Sequence, residues 1–129
     1  MRRILIADDN DAIRGVLGQL LRRHDGWEVC ADVKNGQEAV LKAIELKPNV
    51  IILDLAMPMM DGLQATREIT QILPAVPIII YTLHKSSWLE LDAKKAGARQ
   101  VVSKPDTDAL VRAVETVLNT QSEDSIAAP

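Results

Sequence analysis

The sequence predicts an α/β fold, a doubly wound five-stranded parallel sheet with helices on both faces, and three observations carry that prediction. Short apolar runs recur about every two to three dozen residues. The central runs do not alternate, as strands covered on both sides require. The segments between them carry apolar residues at helical spacing, and parallel strands need helical crossovers.

The strands are expected at Arg3 to Ala7, Trp27 to Val33, Val50 to Leu53, Val76 to Ile80 and Gln100 to Val102. Between the first two, Ile13, Val16, Leu17, Leu20 and Leu21 form one apolar stripe of a first helix. Ala39, Val40, Ala43 and Ile44 repeat the pattern after Asn35-Gly36, and Pro48 stops it. Leu63, Thr66, Ile69 and Leu73 mark a third helix after Asp61-Gly62 and before Pro74 and Pro77.

A fourth helix runs from about Ser86 to Ala96 with Gly97 as its C-terminal cap, and Leu91 and Ala96 serve its inner face. Periodicity does not decide whether Trp88 and Leu89 face in or out. The fifth helix begins near Thr107 and buries Leu110, Val114, Val117 and Leu118. Residues 1–120 are expected to form one domain and 121–129 a flexible polar tail, too short for a DNA-binding domain. For five such strands the order 2-1-3-4-5, that of flavodoxin-like folds, is expected.

Composition narrows the function. Net charge is −3, with two Trp, one Tyr and no Phe, so neither a basic face nor a stacking platform for nucleic acid is expected. No apolar run reaches the length of a membrane span, and Met-Arg-Arg leads into a strand rather than a signal peptide. A cytoplasmic protein is expected, and the single Cys30 reads as a structural thiol.

In open parallel sheets, ligands sit beyond the carboxyl ends of the strands. Those ends are polar here: Asp8-Asp9 after the first strand, Asp54 after the third, Thr82 after the fourth, and Ser103-Lys104 at the fifth. Three carboxylates on one rim repel each other unless a cation sits among them. Mg²⁺ suits such oxygens and takes one or two carboxylates directly, which makes Asp9 and Asp54 the candidates. With charge neutralised, Asp54 can act as a nucleophile toward a phosphoryl group, while Thr82 offers a hydroxyl and Lys104 an ammonium to its oxygens. Asp8-Asp9-Asn10 also suits the cap of the first helix.

From Arg3 to about Asn119 the chain resembles the receiver domains of response regulators in bacterial two-component signalling. The resemblance rests on Asp8-Asp9, the run Asp54-Leu55-Ala56-Met57-Pro58-Met59-Met60-Asp61-Gly62, Thr82, Ala96-Gly97-Ala98 and Lys104-Pro105, in that order. It implies that Asp54 is the phosphoacceptor, that Asp9 and Asp54 bind Mg²⁺ directly and Asp8 through water, and that the Ala56 carbonyl is a further ligand. Thr82 and Lys104 would contact the phosphoryl group, and the donor would be a sensor histidine kinase or phosphotransfer protein. The Lys104-Pro105 bond is often cis in this family.

Three positions depart from the pattern. Val101 stands where relatives carry the Tyr or Phe that changes rotamer with the threonine, so coupling through loop and helix shifts is expected instead. Leu83 replaces a small residue and suggests tighter access. Ala56 and His84 occupy positions that influence how water reaches the phosphoryl group, although His84 on its own reads as a solvated loop residue. A degenerate receiver acting as a phosphorylation-independent interaction module is the competing reading. If exposed, Trp88 and Leu89 would form an apolar patch on the helix 4/strand 5/helix 5 face, where relatives homodimerise or dock partners.

Overall fold

The computed structural model describes residues 1–127, and among them the side chains of 122–127 lie outside the description. Strands and helices alternate as β1 (Arg2–Ala7), α1 (Asp11–Arg22), β2 (Trp27–Val33), α2 (Gly36–Leu46), β3 (Val50–Leu53), α3 (Gly62–Ile72), β4 (Ile78–Thr82), α4 (Ser87–Ala96), β5 (Gln100–Ser103) and α5 (Thr107–Ala127). All pairings are parallel and the order is β2-β1-β3-β4-β5, as the alternation predicted.

Strand alternation divides the core between the two faces of the sheet. On one face Ile4, Ile6, Val50, Ile52, Ile79, Tyr81 and Val102 pack under α1 and α5 against Leu17, Leu21, Leu110, Val114, Val117 and Leu118. On the other, Leu5, Ala7, Ile51, Leu53 and Ile78 pack against Ala39, Val40 and Ala43 of α2 and Ala65 and Ile69 of α3. A smaller cluster of Ile80, Val101, Leu89, Ala93 and Ala98 seats α4. Cys30 sits where the β1–β2 register slips between Ile4 and Leu5, and its thiol donates to the Ile4 carbonyl oxygen at 3.4 Å.

Side-chain caps start all five helices, and at α5 Asp106 accepts the Ala109 N–H at 2.9 Å. Asn10, Asn35, Asp61 and Ser86 each accept from the backbone N–H three residues on, at 3.0, 2.8, 2.9 and 3.1 Å. Asn10 therefore caps α1, as the sequence suggested.

Several boundaries and faces differ from expectation. β4 begins at Ile78 rather than Val76, because the Val76 N–H turns back to the Leu73 carbonyl and Pro77 has no N–H to give; it then runs on so that Tyr81 and Thr82 pair with β5. Val16 is 58% exposed and Ile44 40%, so the buried stripes are narrower than expected, with Leu17, Gly18 and Leu21 buried on α1 and Ala39, Val40 and Ala43 on α2. In α4 the inner face is Leu89, Ala93 and Ala96, which leaves Leu91 and Trp88 outside. α5 stays helical to Ala127, through most of the segment expected to be a flexible tail; residues 128–129 lie outside the described residues.

Two glycines draw the loop from β3 to α3 tightly against its surroundings. A Cβ at Gly62 would lie 2.2 Å from the Asp54 carbonyl oxygen, and one at Gly36 would lie 2.2 Å from the Met60 carbonyl oxygen. Both obstacles are backbone, which cannot rotate aside. Gly62→Ala is expected to lower the unfolding free energy by about 1–3 kcal/mol, measured by urea denaturation, and to displace the backbone of Asp54.

Candidate functional site

The sheet ladder continues one residue past the strands and fixes the start of each loop. The Asp8 N–H donates to Val33 O at 3.0 Å, Asp54 N–H to Ala7 O at 2.9 Å, and Lys104 N–H to Thr82 O at 2.8 Å. Strand order reverses between β1 and β3, so Asp8, Asp9 and Asp54 meet at the point where an open α/β sheet leaves a crevice.

Their carboxylate oxygens lie within 4.8 Å of one another. Asp8 is 2% exposed and Asp54 8%, while Asp9 faces solvent. The Lys104 ammonium bridges the two buried acids, 2.6 Å from Asp8 Oδ2 and 3.4 Å from Asp54 Oδ2. The other Asp8 oxygen accepts the Asn10 N–H at 2.9 Å, and Asp54 Oδ1 accepts the Leu55 N–H at 2.8 Å. The Lys104–Pro105 bond is cis.

Burial pushes the Asp54 carboxyl above its ordinary value, and the negative charge of Asp8 pushes it the same way; Lys104 and the Leu55 N–H pull it back without cancelling the rise. Asp54 is thus a partly desolvated carboxylate whose charge is only partly compensated. Burial, with Asp106 and then Asp8 adding to it, also raises the Tyr81 phenol, which stays neutral.

A cleft of about 220 Å³ opens over these groups, lined by Asp8, Asp9, Asn10, Ile13, Asp54, Ala56, Leu83, His84 and Lys104. Leu83 is 70% exposed, so it stands at the rim rather than filling the space over Asp54. His84 is exposed, as a solvated loop residue should be, and its backbone N–H donates to Thr82 Oγ1 at 3.2 Å. Thr82 is itself fully buried, its hydroxyl held at the loop rather than free in the cleft. Val101 points into the α4 cluster beside Ile80 and Leu89, with no ring to move there.

The donor set suits a hard divalent cation: oxygen ligands only, two of them buried and one open to water. Asp8 holds the closer contact with Lys104, at 2.6 Å against 3.4 Å for Asp54, and Asp9 is the exposed acid of the three; Ala56 lines the same cleft.

Arg14 was not singled out from the sequence. Its side chain is 11% exposed, and it donates to the Asp8 carbonyl at 2.7 Å, to Asp32 at 3.1 Å and to Asp11, tying the acidic loop to α1 and β2. An arginine one turn past the capping Asn10, three residues after an aspartate, was the available clue.

The parallel five-stranded sheet thus brings an acid pair, a third acid and a lysine together at its switch point. The family description "Response regulator receiver domain" matches residues 4–115, and the chain belongs to that family. It is 39% identical over 118 residues to the transcriptional regulatory protein LnrK of Bacillus subtilis, covering 91% of this chain and 54% of LnrK. It is 38% identical over 104 residues to the chemotaxis protein CheY of Thermotoga maritima, covering 81% of this chain and 86% of that protein. The chain thus spans about half of one relative and most of the other. Its fold superimposes with a TM-score of 0.86 on a CheX–CheY–BeF₃–Mg²⁺ complex from Borrelia burgdorferi, at 25% identity over 91% of this chain and 89% of that one.

The raised Asp54 carboxyl has a consequence for stability. Its protonation favours the fold below the ordinary carboxylate value, and that contribution is lost as pH rises through the raised folded value. At neutral pH the ionised Asp54 is therefore a net cost. Without divalent metal at pH 7, Asp54→Asn is expected to raise the thermal midpoint by about 3–5 °C, and the gain should shrink steadily as the pH is lowered into the carboxylate range, read by calorimetry.

Proposed function

We propose that this chain is the phosphoacceptor switch of a two-component phosphorelay, phosphorylated on Asp54 in a Mg²⁺-dependent reaction. The observation that carries this reading is the Lys104 ammonium set between Asp8 and Asp54, with Asp9 in ligand reach of both acids. That arrangement keeps one nucleophilic carboxylate ionised beside a fixed positive charge.

Asp9, Asp54 and the Ala56 carbonyl would hold the ion directly, and Asp8 would do so through water. When bound, Mg²⁺ neutralises the phosphoryl oxygens on which negative charge gathers. An Asp54 carboxylate oxygen attacks phosphorus as the P–N bond of a phosphohistidine breaks, and the bonding pair leaves with the imidazole nitrogen of the donor. Lys104 passes from its carboxylate partners to a phosphoryl oxygen. Thr82 exchanges the His84 N–H for another phosphoryl oxygen, and that exchange lets the loop after β4 report the modification.

The donor is a sensor histidine kinase or phosphotransfer protein, and the domain acts on no external substrate: it catalyses its own phosphorylation and slow hydrolysis. A cytoplasmic location goes with this role, and no described helix is long and apolar enough to cross a membrane. Of the expected patch, Leu89 is buried, while Trp88, 78% exposed, and Leu91, 49% exposed, support the helix 4/strand 5/helix 5 face as a surface for dimerisation or partner docking. The complete set of Asp8, Asp9, Asp54, Thr82 and Lys104 supports this reading over a phosphorylation-independent module.

Purified protein incubated with acetyl phosphate and MgCl₂ is expected to gain one phosphoryl group by intact mass spectrometry, and to gain none with EDTA or as Asp54→Asn. Uptake by Asp54→Asn would refute the assignment. MgCl₂ alone should raise the thermal midpoint of the parent, by about 2.7 kcal/mol of stabilisation at a hundredfold excess over the dissociation constant. Asp9→Ala, altered at an exposed side chain, should fold normally and lose most of that gain.

A further inference from the structure

Lys104 is held from two sides. Its ammonium meets the carboxylates of Asp8 and Asp54 on one side, and on the other it stands 5.8 Å from the centroid of the Tyr81 ring. Tyr81 is 3% exposed and belongs to the α1/α5 face of the sheet, whereas its neighbour Ile80 belongs to the α4 face. The aromatic ring that faces Lys104 therefore lies on β4, on the other face of the sheet from Val101 on β5. The same ring lines an apolar cleft of about 260 Å³ with Ala12, Ile13, Val16, Leu17 and Pro105, and Lys104 borders that cleft as well.

A lysine has a flexible four-carbon stem, and holding its ammonium at one point costs rotamer freedom. A neutral aromatic face within about 6 Å attracts the cation and narrows the places it can occupy, most strongly where water is excluded. Lys104 has a side chain only 6% exposed, so the contact is made in such surroundings.

We infer that Tyr81 is a positioning residue for phosphoryl transfer: its ring holds Lys104 against the Asp8–Asp54 pair, and it senses the lysine when the site is occupied. The inference rests on the phosphoacceptor reading. The ring takes the place, on the opposite face of the sheet, of the aromatic that Val101 does not supply. A displacement of Lys104 is then carried toward α1 and the β5–α5 turn rather than toward α4.

Tyr81 is the only tyrosine in the chain, so protein labelled with 3-fluorotyrosine gives one ring resonance. Titration with BeF₃⁻ in the presence of MgCl₂ should move that resonance in step with the appearance of bound-fluoride signals, and Asp54→Asn should show neither change. Bound fluoride with an unmoved Tyr81 resonance overturns the inference and leaves Asp54 as acceptor. Absence of bound fluoride in the parent overturns both, the acceptor assignment first.

Two variants separate positioning from packing. Tyr81→Leu should slow phosphorylation by acetyl phosphate about fivefold at saturating Mg²⁺ while leaving the Mg²⁺ dissociation constant within about twofold, because the ring touches the lysine and not the metal acids. Tyr81→Phe keeps the aromatic face and should match the parent in both. A Tyr81→Leu protein as fast as the parent, one weakened equally in metal affinity and rate, or a Tyr81→Phe protein as slow as Tyr81→Leu overturns the inference.

Discussion

Two carboxylates, Asp8 and Asp54, are almost completely buried at the rim of the sheet, and a single ammonium, that of Lys104, lies between them. Two like charges this close cannot both stay ionised out of water without a counter-charge. The rest of the site follows from that constraint. Asp9 remains exposed and free to take a cation, Asn10 N–H and Leu55 N–H satisfy the outer carboxylate oxygens, and Asp54 still keeps a raised proton affinity. Lys104 alone therefore offsets the burial and mutual repulsion of the two acids only in part.

The fold supplies the precision this needs. Asp8 and Asp54 follow the adjacent strands β1 and β3 and Lys104 follows β5, two places from β3, and each begins its loop with a backbone hydrogen bond to the neighbouring strand. Arg14 adds a clamp on the Asp8 carbonyl from α1, while Gly62 and Gly36 let the loop after Asp54 pass close to the sheet. A rigid aliphatic core under these groups fixes their spacing, and the exposed residues around the cleft, Asp9, Leu83 and His84, are the ones free to change.

Lys104 is also where the two faces of the sheet meet. Through Thr82 O it is tied to the end of β4, and through the Tyr81 ring it touches the α1/α5 face, while Val101 leaves the α4 face without an aromatic.

Much of this was legible in the chain itself. Unbroken apolar runs such as Val50–Leu53 give buried parallel strands, and polar residues placed directly after them give the site, because strand ends and ligand crevices coincide in this architecture. Asp8, Asp9, Asp54 and Lys104 were therefore readable from local pattern. What periodicity could not give was set by distances between elements: which of Trp88, Leu89 and Leu91 turns inward, how Val16 escapes the core, and how Arg14 and Tyr81 reach the site. Sequence determines which residues stand at strand ends, since that depends on neighbours along the chain; tertiary structure alone decides which side chains then meet, since burial and charge pairing depend on groups brought together from far apart.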